Sequence, residues 1–192
     1  MIFLNQKVNN QLNYFNMKAL KYLAIGLGAL VALLLVVALF VPKDFNYEKS
    51  ITINAPIDTV WVNVNSLSAL DKWSPWNDHD PVMKKELTGM DGTIGAKQSW
   101  ESNIVGSGSQ TIAAIDKPKL FETDLNFYKP MKSHGKAYIK LVSEGTATKA
   151  TWGMTGNMPY PMNVMTLFMN MDKSMGADWD HGLNKLKKLS EK

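Results

Sequence analysis

Asp78-His79-Asp80 is the one acid–His cluster in this 192-residue chain that looks like metal or acid–base chemistry. A metal or acid–base site needs such groups to converge in space, and neighbours along an extended loop point in different directions. His181 follows Asp178 by three residues on a helical stretch, which suits a surface pair, and His134 stands near a predicted strand start. A solvated loop or helix face accounts for each of the three. Glu101, after Trp100, reads as a buried carboxylate with no second one beside it. Lys185, Lys187 and Lys188 form a basic end to the last helical stretch. They complement the helix dipole, with contact to lipid headgroups as the other reading. No Gly-rich loop precedes a helix, and no Ser sits in a strand-to-helix elbow. With no Cys, disulfides, thiolate zinc and thiol nucleophiles are excluded. The residues therefore nominate no catalytic group, no metal site and no cofactor.

Charge narrows the classes further. All 21 basic residues are Lys. Three of them, Lys7, Lys18 and Lys21, precede the long apolar run, which leaves 18 Lys against 17 acidic residues beyond it. The bulk of the chain is nearly neutral, and it lacks the Arg fork that reads guanine or phosphate in two hydrogen bonds. Nucleic acid is disfavoured as a partner.

Whatever chemistry there is has to be held near a membrane. Tyr22–Val41 is twenty residues without a charge, and as a helix it would span ~30 Å, the thickness of a hydrocarbon core. A signal peptide is the alternative, but its apolar region is shorter and ends in a small-x-small cleavage site. The nearest candidate here, Val36-Val37-Ala38, falls inside the run. The run is apolar on every face, unlike the helix of a soluble core. Lysines before it and no acid before Asp44 place the N-terminus in the cytoplasm. The expectation is a single-pass protein of the inner, cytoplasmic membrane, with its domain on the periplasmic or extracellular side. Residues 1–18 form the cytoplasmic segment, 19–42 the transmembrane helix and 43–192 the domain. Met17 is an alternative start, and residues 1–16 show no period and are assigned no element.

Beyond the run, Phe45, Tyr47, Ile51 and Ile53 alternate with polar residues as a half-buried strand. Pro56 suits the first turn of a helix carrying Val60, Trp61 and Val64. Leu67 to Pro81 reads as a helical turn and then a loop. Strands follow over Ala96–Ser102, Ser109–Ile115, Phe121–Phe127, Lys136–Ser143 and Thr148–Thr155, with Glu144-Gly145 as a hairpin turn. The chain closes on a long helical pattern from Met162 to about Leu189. The class is α+β, with helices on one face of an antiparallel sheet.

Several phrases, in this order, resemble the SRPBCC or START-like superfamily of polyketide cyclase/dehydrase and lipid-transport proteins, in a membrane-anchored bacterial branch. They are Ile51-Thr52-Ile53-Asn54-Ala55-Pro56 with Val60-Trp61, Trp73-Ser74-Pro75-Trp76, Gly145 with Thr148-Lys149-Ala150-Thr151-Trp152, and Met158-Pro159-Tyr160-Pro161-Met162. The resemblance covers about Phe45 to Leu189. It implies a helix-grip fold, a curved antiparallel sheet wrapped around the long C-terminal helix with an apolar cavity between them. It carries over no catalytic motif.

With that cavity implied, Met165 and Met169 on the helix, and Trp152 and Met154 on the last strand, are candidates to line it. Seven of the twelve methionines fall between Met154 and Met175, and flexible, polarisable Met suits varied apolar partners. Filling irregularities of a core is the alternative. Trp73 and Trp76 read as an aromatic rim, a membrane-interface anchor or plugs of the core. Trp61, Trp100 and Trp179 are assigned to the core first, with Trp100 and Phe127 also carried as cavity candidates. The expected function is membrane-anchored, non-enzymatic binding of a small apolar, lipid-like ligand. The alternatives are a cyclase- or hydrolase-type enzyme using a cavity carboxylate or His, and an interaction module whose cavity is filled by its own side chains.

Overall fold

The computed structural model describes the backbone of residues 2–192 and the side chains from Met17 onward; Lys7 and the rest of the side chains of residues 1–16 lie outside the described residues. The chain divides into two units, residues 1–43 with Pro159–Phe168, and Asp44–Met158 with Met169–Lys192.

The first unit is built on α1 (Ile2–Ala38), a helix of 37 residues. It extends back through residues that show no period in the sequence. Within it Met17–Ala38 is long and apolar enough to cross a membrane. The helix ends three residues before Val41, and Leu39 and Phe40 tighten its last turn through N–H bonds to the carbonyls of Val36 and Val37. Packed with α1 is a 3-10 helix, Met162–Leu167.

The second unit is a seven-stranded antiparallel sheet with a closing helix. Its strands are β1 (Asp44–Ile53), β2 (Lys84–Thr88), β3 (Lys97–Ser102), β4 (Gly106–Asp116), β5 (Leu120–Lys129), β6 (Ser133–Glu144) and β7 (Ala147–Asn157), in the order β1-β7-β6-β5-β4-β3-β2. All but β1 form a meander, and β1 adds to it beside β7. Register shifts at Ser107/Gly108 and Ile112/Ala114 curve the sheet, since a bulged strand bends. Alternation explains the faces: Phe121, Thr123 and Leu125 of β5 are buried, while Asp124 before Leu125 and Asn126 after it are exposed. Gly145 takes φ +69° in the β6–β7 turn, a conformation that suits a residue without Cβ.

Between β1 and β2 run three short helices, α2 (Ile57–Trp61), α3 (Leu67–Asp71) and α4 (Trp76–His79). The closing helix is α5 (Met171–Ser190), and it buries Trp179, Gly182, Leu183 and Leu186 at three- and four-residue spacing. Lys49 of β1 pairs with Asp180 at 2.6 Å and Asp172 at 3.0 Å, which ties that strand to α5.

The closing helical pattern is not one helix. Apolar spacing runs unbroken from Met162 to Leu189, but α5 starts only at Met171. Asn170 caps it, its side chain accepting the backbone N–H of Lys173 at 2.9 Å. A polar residue that satisfies a free N–H in the first turn starts a helix in the middle of an apolar rhythm. Met165 therefore belongs to the 3-10 helix and Met169 to the link before the cap.

Candidate functional site

In the second unit a cavity of about 220 Å³ opens between the sheet, the α3–α4 segment and α5. Six of the eight sequence candidates line it: Trp73, Trp76, Trp100, Phe127, Trp152 and Met154. Met165 and Met169 do not, and they are 46% and 39% exposed. The broken helix is the reason, because it removes the register that would have turned them inward.

The aromatic wall is ordered by edge and face contacts. The Trp152 ring stacks on Trp179 at 4.4 Å and 15°, and Trp73 meets Trp152 edge-on at 5.0 Å. Trp76 approaches Trp179 edge-on at 6.2 Å, and Trp100 meets Phe127 at 5.9 Å. Gly182 permits the stack. A Cβ there would lie 2.8 Å from Cζ3 of Trp152, too close for any side chain. Trp73 is buried and satisfied, its Nε1 donating to the Asn63 carbonyl at 2.9 Å. Trp179 is buried and lines the cavity, yet its Nε1 has no partner among the described residues. Periodicity turned Trp179 inward but did not separate cavity wall from core.

The opposite character gathers at one corner. Asp71 at the end of α3 accepts from Gln98 Nε2 at 2.6 Å and from Lys85 Nζ at 2.5 Å; Gln110 Nε2 in turn donates to Gln98 Oε1 at 2.9 Å. Asn77 joins through its side-chain donation to the Asp71 carbonyl at 2.7 Å. Asp71, Lys85, Gln98 and Gln110 all line the cavity. None was a sequence candidate, because the four come from α3, β2, β3 and β4 and only the strand register brings them together.

Other polar groups are committed away from the cavity. Tyr138 alternates with Ala137 and Ile139 on β6, so its ring takes the other face, where Lys140 Nζ lies 4.4 Å from its centroid. Its hydroxyl donates to Glu48 at 2.6 Å and Asn46 at 2.9 Å. Burial first, and then the bond to Glu48, pushes that phenol up to about 12. Two of the three histidines form a crossed clamp between α4 and α5, and His134 lies at the start of β6. His79 Nε2 meets Asp178 at 2.8 Å, and His181 Nε2 meets Asp78 at 2.8 Å, rather than His181 pairing with Asp178 on its own helix. Lys185, and next His181, hold the Asp78 carboxyl below the usual range. Asp80 is buried and accepts from Ser102 Oγ at 2.6 Å. Glu101, read as buried, is exposed opposite Lys84. Lys187 of the basic helix end donates to the Thr52 carbonyl at 2.8 Å. Among the described residues no three His, Cys, Asp or Glu side chains are grouped to hold a metal.

Similar architectures occur in solved structures. A protein from Chromobacterium violaceum is 14% identical, with a TM-score of 0.55 over 77% of this chain and 97% of that one. A norcoclaurine synthase point mutant from Thalictrum flavum, in complex with a transition-state analogue, is 13% identical, with a TM-score of 0.57 over 77% and 94%. The Aha1 dimer from Colwellia psychrerythraea is 14% identical, with a TM-score of 0.51 over 77% and 96%. At such identities the likeness speaks for the fold alone. A search of curated protein sequences gives no match. Residues 44–191 match the family model described as polyketide cyclase / dehydrase and lipid transport. The match takes in the sheet, the aromatic cavity and the closing helix, and the chain belongs to that family.

Proposed function

We propose that this protein is a membrane-anchored binder of a small, largely apolar molecule that carries one hydrogen-bond acceptor. The observation that carries the reading is the buried Nε1 of Trp179, without a partner among the described residues, on a side chain that belongs to the cavity's aromatic wall. Apolar burial at ~25 cal/mol per Å² supplies affinity, and a few placed polar groups fix orientation. About 220 Å³ lies below the ~300–1,000 Å³ of drug-sized pockets. The size fits a molecule of one or two rings or a short chain better than a two-chain lipid. Tyr22–Val41 holds the domain to the bilayer, with Lys18 and Lys21 on the cytoplasmic side and the domain outside. The near-neutral, Arg-free domain takes no nucleic acid.

A cyclase- or hydrolase-type reaction has one observation in its favour, the Asp71–Lys85 pair in the cavity wall. Both Asp71 oxygens already accept, from Lys85 and Gln98. That corner orients a polar end of the ligand rather than taking up its proton.

The test is uptake of an apolar fluorescent probe by the full chain in detergent, with Ala137→Phe as the blocking variant. Ala137 lines the cavity, opposite Thr123 on one side and Met154 on the other, so the added ring enters empty space. Binding should be lost with little change in melting temperature. A parent that binds no probe, together with a variant overpacked by ~1–3 kcal/mol, would mean a filled interior and an interaction module instead.

A further inference from the structure

The methionine-rich stretch between β7 and α5 displays what a water-facing surface hides. Tyr160, Met162, Met165, Leu167 and Phe168 are all exposed, Phe168 to 77%. From Met158 to Met171 fourteen residues pass without one charge. In the same unit Leu39 and Phe40 at the end of α1 are 67% and 81% exposed.

One side chain of the 3-10 helix is fully buried, and it is polar. Asn163 Nδ2 donates to the carbonyls of Ala38 at 2.7 Å and Val41 at 2.8 Å. Helix ends leave carbonyls without intrahelical partners, and here an amide from 125 positions away supplies one of them. Asn163 Oδ1 has no partner among the described residues, so this amide is held for its donors. The stretch is thereby stitched to the point where the apolar run stops.

That point has a fixed depth. If Tyr22–Val41 crosses the hydrocarbon core, its last residues sit where acyl chains meet headgroups. A segment hydrogen-bonded to Ala38 and Val41 sits there too. Apolar side chains with a Tyr among them and no charge suit that boundary, where an aromatic ring with a polar tip is favoured.

We propose that Pro159–Phe168 is a membrane-contact site, a foot that buries Met165, Leu167 and Phe168 in the boundary of the bilayer that α1 crosses. The proposal rests on α1 being a membrane span and is independent of what the cavity holds. The partner is a lipid surface, selected by apolar burial and by the lack of charge rather than by headgroup sign.

The chain has no Cys, so single-cysteine labelling has no background. Phe168→Cys, Met165→Cys and, as a span control, Leu30→Cys would each carry an environment-sensitive nitrobenzoxadiazole label. The full chain is placed in phosphatidylcholine vesicles that contain lipid quenchers either high or low on the acyl chain. The labels at 168 and 165 should emit blue-shifted and lose most of their intensity to the shallow quencher, while the label at 30 loses most to the deep one. Leu30 quenched by lipid with Phe168 and Met165 quenched only by aqueous iodide would overturn the foot and leave the span standing. Labels at 165 and 168 shielded from both iodide and lipid would overturn it in favour of a protein partner or a second copy. No lipid quenching at 30 would remove the span and the foot together.

Discussion

Trp179→Phe separates the two roles of the residue at the centre of the aromatic wall. Its ring stacks on Trp152 at 4.4 Å and meets Tyr47 and Trp76 edge-on at 5.6 and 6.2 Å, contacts a phenyl ring largely keeps. Its Nε1 is buried without a partner among the described residues, which costs roughly 1–3 kcal/mol in the empty protein. Phe removes that donor. It also removes two ring carbons, worth about 1.5 kcal/mol at roughly 0.8 kcal/mol for each buried carbon. The two effects oppose, and the net lies between about 0.5 kcal/mol lost and 1.5 kcal/mol gained. At ~2–4 °C per kcal/mol for a chain of this size, the melting temperature should stay within about 6 °C of the parent. Trp→Ala at a buried site costs ~3–5 kcal/mol, so the contrast with Trp179→Ala is readable in one thermal melt.

Binding should move differently. A naphthyl ketone should lose ~2–10-fold in affinity, one hydrogen bond's worth, while the parent hydrocarbon without a carbonyl is unaffected. The assay is a melt by circular dichroism with fluorescence titrations of both probes. Equal changes for ketone and hydrocarbon would refute the acceptor reading. A fall in melting temperature as large as that of Trp179→Ala would mean that the N–H is satisfied in solution.

Other expectations follow from single contacts. Asp91 accepts from the backbone N–H groups of Leu67, Ser68 and Gly92 at 2.8, 3.0 and 2.9 Å. Burial pushes its carboxyl up, but the bonds from Ser68, Leu67 and Gly92 outweigh this and hold it below the usual range. A depressed folded value stabilises above the unfolded value near ~4 and is lost as pH falls through the folded one. Asp91→Asn should therefore lower stability at neutral pH and flatten the acid limb of melts taken from pH 6 down to 2.5; an unchanged limb would refute the assignment. Gly182→Leu should drive Trp152 off Trp179 and cost ~1–3 kcal/mol, read as a lower melting temperature and a changed near-ultraviolet signal from the tryptophan stack. For topology, a reporter fused after Lys192 should be active outside the cytoplasm, and protease added to spheroplasts should cut the domain; protection would reverse the orientation drawn from Lys18 and Lys21.

Much of the fold was legible because burial repeats at the period of the element. Phe121, Thr123, Leu125 and Phe127 alternate as β5 requires, and Trp179, Leu183 and Leu186 recur as α5 requires. Glu144-Gly145 marked the hairpin that Gly145 closes at positive φ. Where period was the only guide, it carried too far. It ran one helix through Met165 and Met169, although the same stretch shows a cap residue, Asn170, and no charge to give a surface helix its wet side. The polar corner was illegible for another reason. Asp71 and Gln98 are 27 positions apart on different elements, and no local pattern announces a hydrogen bond that only a strand register creates.

The two groups of methionines divide along that line. Met154 stands on a strand whose register is fixed by β1 and β6 on either side, so alternation alone sends it to the cavity. Met162, Met165 and Met169 have no ladder to fix them. A buried amide on the carbonyls of Ala38 and Val41 holds the 3-10 helix, and Met162, Met165 and, beyond that helix, Met169 stay partly exposed. A contiguous apolar patch left open at the surface needs a reason. The cavity explains Met154 and does not reach the other three. On the proposed foot, the end of an apolar helix, with no charge for fourteen residues around the stitched segment, would give Met162 and Met165 a solvent other than water.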